Sequence, residues 1–367
     1  MSTRAHNFSA GPAVLPLEVI EELQQALPNY NGIGLGLMEM SHRSKDFDDI
    51  IHSAISRLRS LLNIPADYEV LLLQGGASLQ FYMTALNLLG PEDTGAYINT
   101  GTWSTKAIKE AKRCANVDTL WSPNDGVFNR VPSSKEYTVS ETAQFLHYTS
   151  NNTIYGTQFR TAPDADVPLI GDYSSDIASA PLDISKHGVI YAGAQKNLGP
   201  SGVTAVILSP WAVERSKQVD TLRSGGLPSM LNYALMVEKN SMFNTPNTFG
   251  IFALDRMLAW LERQGGVSAI HTQNTAKANR IYNILDGSDF WQPHAEVASR
   301  SIMNVTWKIQ NSQLESVFLQ ESDAAGLKGL KGHRSVGGLR ASIYNACSPN
   351  SVEVLAEFMQ NFEQRHG

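Results

Sequence analysis

The sequence predicts an α/β protein in which a large domain, built on a mostly parallel sheet, precedes a smaller α+β domain. Short apolar runs alternate with helical patterns through the first two thirds of the chain, which is typical of a sheet covered by helices on both faces. Glycine and polar residues follow each run, as expected where parallel strands end beside a ligand site. After about Asp255 longer helical patterns dominate, and these indicate the second domain.

Six apolar runs predict the strands of the large domain. They are Val70 to Leu73, Gly95 to Ile98, Phe145 to Tyr148, Val167 to Ile170, Val189 to Tyr191 and Val203 to Leu208. The apolar spacing of Leu79, Tyr82, Met83 and Leu86 predicts a helix directly after the first of these strands.

The C-terminal part shows a different order of elements. Apolar spacing predicts helices through Leu258 and Leu261, from Asn274 to Leu285 and from Leu314 to Leu319, with strands at Ile302 to Val305 and Leu339 to Tyr344. A last helix is predicted after Ser348, because serine is a good N-cap and Pro349 suits the first helical position.

Composition excludes several classes of protein. The chain has 367 residues, with 29 basic and 35 acidic side chains and a net charge of −6 without charge blocks, which argues against a nucleic-acid or anionic-membrane surface. Cys114 and Cys347 are too few for a disulfide framework, and no Cys or His spacing predicts a metal site. The start lacks the apolar core of a signal peptide, so we expect a cytoplasmic protein without a membrane segment.

Lys196 is the first candidate for chemistry. It follows Ala192-Gly193-Ala194-Gln195, directly after the strand that ends at Tyr191. An amine that reacts covalently must be partly desolvated and must lie close to a bound aldehyde, and small neighbours allow that approach. The pattern therefore favours a lysine that binds an aldehyde cofactor, although most lysines are solvated surface charges.

Four other strand ends carry residues that suit such a cofactor. Gly75-Gly76-Ala77-Ser78 can direct N–H groups and a helix dipole at a phosphate. Asp172 can hold a protonated pyridine nitrogen, Trp103 offers a stacking surface and Thr153 offers a hydroxyl. Each also has a simpler explanation, as a glycine turn, a helix cap, a core aromatic and a turn residue respectively. Together with Lys196 they meet the requirements of pyridoxal 5′-phosphate.

The basic residues indicate an anionic substrate. His42-Arg43 and His333-Arg334 are two His-Arg pairs in an acidic chain, and Arg340 follows closely. Arginine binds carboxylates and phosphates in a bidentate manner, and histidine adds a donor. A substrate with several negative charges is therefore predicted; surface arginines in glycine-rich turns are the alternative.

With these motifs the sequence resembles the class V aminotransferases of pyridoxal-phosphate fold type I, over nearly its whole length. The resemblance rests on segments 7–13, 39–44, 172–175, 191–202, 242–246 and 331–345. It implies a seven-stranded sheet in a large domain of residues 16–260, and a small domain of residues 1–15 and 261–367. It also implies a homodimer with sites at the subunit interface.

The resemblance further implies an activity. We expect the chain to transfer an amino group from O-phospho-L-serine to 2-oxoglutarate, giving 3-phosphohydroxypyruvate and L-glutamate, as in L-serine biosynthesis. Use of 4-phosphohydroxy-L-threonine, as in pyridoxine biosynthesis, stays open. A pocket of mobile cationic donors suits a ping-pong enzyme that binds two different anions in turn.

Roles for single residues also come from the resemblance. Lys196 would attach the cofactor and move the substrate proton, Asp172 would contact the ring nitrogen, and Trp103 would stack on the ring. The other cofactor contacts would be Ala77, Ser78, Thr153 and Gln195, with Asn244 and Thr245 reaching over from the neighbouring subunit. The substrate would contact Ser9, His42, Arg43, His333, Arg334 and, through its α-carboxylate, Arg340. Some family members have arginine where this chain has Ser78, so its cofactor phosphate would depend more on N–H groups and hydroxyls.

Three other functions compete with this one. A lyase of the same class would need a reactive loop cysteine, for which Cys347 is the candidate. A glyoxylate- or alanine-type aminotransferase would leave the two His-Arg pairs without an anion. A catalytically silent binding protein would not need Lys196, Asp172 and the arginines together.

Overall fold

The computed structural model describes residues 4–367 and contains 14 strands. The strands are β1 (His6–Asn7), β2 (Glu69–Leu73), β3 (Thr94–Ile98), β4 (Asn116–Trp121), β5 (Ala143–Thr149), β6 (Asn151–Asn152), β7 (Thr157–Gln158), β8 (Leu169–Asp172), β9 (His187–Gly193), β10 (Thr204–Leu208), β11 (Trp291–Pro293), β12 (Asn304–Ile309), β13 (Leu327–Lys328) and β14 (Leu339–Ser342).

Ten α-helices lie between residues 4 and 367 and pack against the sheets. They are α1 (Leu17–Ala26), α2 (Lys45–Leu62), α3 (Gly76–Leu88), α4 (Thr102–Ala111), α5 (Pro210–Leu222), α6 (Tyr233–Glu238), α7 (Thr248–Arg263), α8 (Gly266–Leu285), α9 (Leu314–Ala324) and α10 (Pro349–His366). The predicted cap of α10 is confirmed, because the Ser348 hydroxyl accepts a hydrogen bond from the Ser351 amide.

The main sheet has seven strands in the order β2-β10-β9-β8-β5-β3-β4. Strand β10 runs antiparallel to both of its neighbours, and every other adjacent pair is parallel. The predicted fold class is confirmed. All six predicted strands are present, and the seventh, β4, lies at the edge with mostly exposed side chains. An edge strand with little burial lacks the apolar run that reveals the others, so the sequence pattern missed it.

The topology brings the predicted site segments to one edge of this sheet. Strands β2, β3, β5, β8 and β9 point in the same direction, and their carboxyl ends therefore lie together. The glycine turn of α3 follows β2, the turn before Trp103 follows β3, and Lys196 follows β9. In open α/β sheets this edge is where ligands bind.

The apolar core has separate parts. Two clusters fill the two faces of the seven-stranded sheet, and a third packs α8, α9 and α10 against the three-stranded sheet β11-β12-β14. Phe8 belongs to the third cluster, and β1 pairs with β13 in parallel, so the start of the described chain packs with the C-terminal elements. The domain boundaries themselves stay a prediction, and residues 1–3 of the predicted small domain lie outside the described part.

Two absences hold for the described residues. Between residues 4 and 367, no helix has both the length and the apolar character needed to cross a membrane. Over the same range, no group of three or more His, Cys, Asp or Glu side chains is arranged to hold a metal ion.

Candidate active site

A cavity of about 340 Å³ lies at the carboxyl edge of the main sheet. Its walls come from the turns after β2, β3, β5, β8 and β9, together with the start of the chain and one turn of the C-terminal part. Nine predicted site residues line it: Ala77, Ser78, Trp103, Thr153, Asp172, Gln195, Lys196, His333 and Arg340. Residues from distant parts of the sequence therefore meet in one cavity, as the strand-end pattern predicts.

Lys196 is held in an environment that favours its neutral amine. Burial lowers the pKa of the amine to about 8; the negative charges of Asp172 and Asp176 oppose this change, and the positive charge of Arg340 adds to it. The amine lies 5.9 Å from the centre of the Trp103 ring. Because a neutral amine is the nucleophilic form, the reactive fraction of Lys196 near neutral pH is much larger than that of a solvated lysine.

Asp172 is a buried carboxylate, 5% exposed, at the last position of β8. Its Oδ1 accepts hydrogen bonds from the Ser174 amide at 3.0 Å and from the Ser174 hydroxyl at 2.6 Å. Burial raises the pKa of this carboxyl, while the Ser174 hydrogen bonds and the charge of Lys196 lower it. The Ser174 bonds fix one oxygen of the carboxylate, which orients the group in the cavity wall.

Trp103 and Arg340 are both oriented through Thr153. The Trp103 indole N–H donates a hydrogen bond of 3.0 Å to the Thr153 hydroxyl. Arg340 Nη1 donates one of 2.8 Å to the Thr153 carbonyl, while its Nε is buried and has no partner among the described residues. Burial lowers the pKa of Arg340. A guanidinium with an unused buried donor beside a cavity is suited to bind a carboxylate.

The turn before α3 suits a phosphate. Gly75 and Gly76 have φ values of 91° and 65°, and a Cβ on Gly75 would lie 2.4 Å from a Leu79 methyl carbon, so glycine is required there. Ala77 and Ser78 lie in the first turn of this 13-residue helix, where free N–H groups and the dipole favour an anion. The donor set of the cavity thus matches pyridoxal 5′-phosphate: amine, carboxylate, indole and phosphate cup.

His333 adds an imidazole ring to the lining of the cavity. Its Nδ1 shares a hydrogen bond of 2.7 Å with the Ser335 hydroxyl. Burial lowers its pKa, and the positive charges of Arg340, Arg334 and Lys106 lower it further. The neighbouring Arg334 is exposed and does not line the cavity.

Five other predicted residues lie outside the cavity in this chain: Ser9, His42, Arg43, Asn244 and Thr245. His42 and Arg43 line a separate surface depression with Lys239 and Met242, two residues before Asn244. The Thr245 carbonyl accepts a hydrogen bond of 3.3 Å from the Gln74 side chain. The structure thus brings the His42-Arg43 pair close to the 239–242 segment and separates both from the cavity.

Sequence reasoning missed two polar residues near the site. Asn151 lines the cavity two positions before Thr153, and the sequence pattern gave no reason to prefer it over its polar neighbours. Asp176 is buried next to Asp172 and Lys196, and accepts hydrogen bonds from Ser150 and Gln158. Burial raises the pKa of Asp176 to about 7. Its place in Asp172-Tyr173-Ser174-Ser175-Asp176 was the available signal.

The structure disfavours a cysteine-based lyase. Cys347 is 2% exposed, and burial raises the pKa of its thiol to about 11. It does not line the cavity that contains Lys196. Since the thiolate is the reactive form, Cys347 is not poised for nucleophilic chemistry.

Comparison with known proteins agrees with the geometry. The profile of the family "Aminotransferase class-V" matches residues 5–355. The chain belongs to this family.

Three similar proteins that cover nearly the whole chain are named phosphoserine aminotransferase. The phosphoserine aminotransferase of Desulfotalea psychrophila is 48% identical over 99% of this chain and 98% of its own length. The crystal structure of phosphoserine aminotransferase from Bacillus circulans subsp. alkalophilus has a TM-score of 0.94 at 44% identity, covering 99% of both chains. The phosphoserine aminotransferase of Trichomonas vaginalis, described as bound to pyridoxal phosphate, has a TM-score of 0.91 at 35% identity, covering 97% of this chain and all of its own.

Proposed function

We propose that this chain catalyses the reversible reaction of O-phospho-L-serine with 2-oxoglutarate to give 3-phosphohydroxypyruvate and L-glutamate, in L-serine biosynthesis. One observation carries the proposal: Lys196, Asp172 and Arg340 line the same cavity. This combination supplies a reactive amine, an acidic partner for a pyridine nitrogen and a carboxylate-binding guanidinium. The names of relatives at 48% identity over nearly the whole chain support the substrate.

Pyridoxal 5′-phosphate is the proposed cofactor, and when bound it supplies an aldehyde for the amino group and a ring that accepts electrons. Trp103 would offer its indole face to the ring, in an orientation fixed by Thr153. The Asp172 carboxylate would hold the ring nitrogen protonated. The N–H groups of the first turn of α3, with the Ser78 hydroxyl, would bind the phosphate, and Gln195 would add a polar contact.

Lys196 would carry the cofactor and, once released, move the proton at the substrate Cα. Accepting that proton requires a neutral amine, and burial has already lowered the pKa of Lys196 to about 8. The half-buried position of the lysine beside the Trp103 ring limits access of bulk water to the amine. Exclusion of water keeps the proton between substrate and enzyme.

Arg340 and His333 would bind the substrate. The α-carboxylate would pair with the Arg340 guanidinium, whose Nε has no partner in the described structure. The distal anion, a phosphate in one substrate and a carboxylate in the other, would meet His333 and the exposed Arg334. Mobile cationic donors bind both anions without a cavity shaped for one of them.

A homodimer is part of the proposal. The predicted contacts His42, Arg43, Asn244 and Thr245 lie outside the cavity of their own chain. They would therefore contribute to the cavity of a second copy, adding cations and amide donors to its rim. Leu35 and Met38 shortly precede His42, and Phe243 directly precedes Asn244. All three are exposed apolar side chains that a partner would cover.

The test is a competition assay with purified, cofactor-loaded protein. We expect transfer from L-glutamate to 3-phosphohydroxypyruvate to exceed transfer to glyoxylate or pyruvate by more than about 100-fold in kcat/KM, since a buried charge left unpaired is heavily penalised. Equal rates with glyoxylate would contradict the proposal. The reverse assay, with 4-phosphohydroxy-L-threonine as amino donor and 2-oxoglutarate as acceptor, decides whether this second phosphorylated amino acid is also a substrate.

A further inference from the structure

A series of hydrogen bonds connects two residues of the cavity wall, Asn151 and Ala10, through Asn304 and Tyr344. Asn151 Nδ2 donates to Asn304 Oδ1 at 2.7 Å, and Asn304 Nδ2 donates to the Tyr344 hydroxyl at 3.2 Å. The Tyr344 hydroxyl in turn donates to the Ala10 carbonyl at 2.7 Å. Asn151 and Ala10, the first and last residues of this series of hydrogen bonds, both line the cavity.

The residues from Phe8 to Ala13, here called the N-terminal segment, are fixed to β14 at a second point. The Ser342 amide donates to the Phe8 carbonyl at 3.1 Å, and the Ser342 hydroxyl accepts from Asn304 Nδ2 at 2.9 Å. Arg340 lies two residues before Ser342 in the same strand. The N-terminal segment is therefore attached to the strand that carries the carboxylate-binding arginine.

The other end of the segment is attached to the lysine turn. The Ala13 amide donates a hydrogen bond of 2.9 Å to the Gln195 carbonyl. A Cβ built on Gly11 would lie 3.6 Å from both Cγ and Cε of Lys196, so the Gly11 backbone covers the lysine stem closely. A backbone in that position excludes water from one side of the lysine.

We propose that Tyr344 is a positioning residue whose hydroxyl holds Ala10 and Gly11 against Lys196. This contact keeps water away from the amine and keeps the lysine side chain in place. The Asn304 amide fixes the position of the tyrosine hydroxyl by donating a hydrogen bond to it. The effect expected on kcat rests on the proposed function, whereas the effects expected on hydrogen exchange and on the pH midpoint for cofactor attachment do not.

The effect on Lys196 can be separated from direct charge effects. The charged groups that act on the amine are Asp172, Asp176 and Arg340, and burial is the larger influence on its pKa. Tyr344→Phe leaves all three charges in place. A change in the titration of Lys196 in this variant therefore reports water access.

The chain offers a matched control. Tyr282 is a buried tyrosine of the same apolar cluster, and its hydroxyl donates to the Ser301 carbonyl at 3.0 Å. Tyr282→Phe removes the same kind of hydrogen bond from the same core but does not touch the N-terminal segment. Both variants should lose similar stability, so a difference between them isolates the role of the segment.

The experiment compares wild type, Tyr344→Phe and Tyr282→Phe by three measurements. Hydrogen exchange on the pyridoxal-phosphate-loaded protein should be about three- to tenfold faster in the segment for Tyr344→Phe only, the range that loss of one hydrogen bond produces. The pH midpoint for attachment of pyridoxal phosphate to cofactor-free protein should rise for Tyr344→Phe only. With phosphoserine, kcat should fall by about the same factor, with little change in KM.

The result that would overturn the inference is equal exchange and an equal midpoint in the two variants. If the wild type does not use phosphoserine but exchange and midpoint still change in Tyr344→Phe alone, the proposed function fails and this inference stands. Should Tyr344→Phe not fold, Asn304→Ser takes its place, because serine is too short to reach both Asn151 and Tyr344.

Discussion

The Trp103 indole N–H donates a hydrogen bond of 3.0 Å to the Thr153 hydroxyl, and this contact connects the turns after two parallel strands. This contact holds the indole in a position where its ring centre lies 5.9 Å from the Lys196 amine. Because Arg340 donates to the Thr153 carbonyl, one threonine orients both an aromatic surface and a guanidinium of the cavity.

Thr153→Val should weaken the hold on the Trp103 indole while leaving the carbonyl contact to Arg340 intact. We expect cofactor affinity to fall by about three- to tenfold, the effect of one hydrogen bond, with KM for phosphoserine nearly unchanged. Equilibrium titration with pyridoxal phosphate measures the cofactor affinity, and steady-state kinetics measure KM for phosphoserine. An unaltered cofactor affinity would show that the indole does not need this contact.

Asp172→Asn should abolish most activity while the fold survives. An amide cannot supply the negative charge that keeps a ring nitrogen protonated, so we expect kcat to fall by at least about 100-fold. The matched control is Asp183→Asn, which changes an exposed aspartate that accepts from the Ser185 amide and hydroxyl in the same way. Comparable losses in both variants would contradict the role of Asp172.

Cofactor attachment to the cofactor-free protein should depend on pH with a midpoint near 8. The neutral amine reacts, and the pKa of Lys196 is lowered to about 8 mainly by burial, so the rate should rise as pH passes upward through that value. Stopped-flow absorbance with pyridoxal phosphate measures the rate. A midpoint near 10.5, the value for an unperturbed lysine, would show that Lys196 is not desolvated.

The neighbouring charges should move this midpoint in opposite directions. The Asp172 anion raises the pKa of Lys196, so Asp172→Asn should lower the midpoint. The Arg340 cation lowers the pKa of Lys196, so Arg340→Gln should raise it. Measurement of both variants by the same stopped-flow assay checks the signs, and a shift of both in the same direction would refute the electrostatic description.

Arg340→Lys should weaken substrate binding even though it preserves the charge. Lysine cannot make the two-pronged contact of a guanidinium with a carboxylate, and hydrogen bonds to charged groups contribute about 1.5–3 kcal/mol, so KM for phosphoserine should rise by about 10- to 100-fold. The control is Arg113→Lys, since Arg113 is exposed, pairs with Glu110 and does not line the cavity. An equal rise in KM in both variants would mean that Arg340 has no special part in carboxylate binding.

Mixing two inactive variants tests the homodimer. Lys196→Ala and Arg43→Ala should each be nearly inactive, but a mixed dimer contains one cavity with both residues intact. After subunit exchange, random pairing should restore about a quarter of wild-type activity. No recovery, with exchange of subunits verified by mass spectrometry, would place Arg43 outside the neighbouring cavity.

The strand-end rule explains why so much of the cavity was predictable from sequence. Parallel strands end at one edge, so Trp103, Thr153, Asp172 and Lys196 had to converge if each follows a buried strand. Their chemistry then suggested one cofactor. Arg340 joins them from the C-terminal part of the chain, and its position came from the resemblance to the family rather than from the strand pattern.

Other features need tertiary information that a single sequence does not contain. Asp176 is buried and accepts hydrogen bonds from Ser150 and Gln158, and its place four residues after Asp172 does not by itself predict that burial. Strand β4 was missed because its exposed edge lacks an apolar run. The hydrogen bonds from Tyr344 to Ala10 span 334 residues, a separation at which sequence spacing gives no guide.

Covalent attachment of pyridoxal phosphate to Lys196 is the step on which the proposed function depends. Borohydride reduction of the cofactor-loaded protein, followed by protease digestion and mass spectrometry, tests it most directly. We expect a pyridoxyl phosphate label on the peptide that contains Lys196, and none in Lys196→Ala. A label on another lysine, or no label on the wild-type protein, would contradict it.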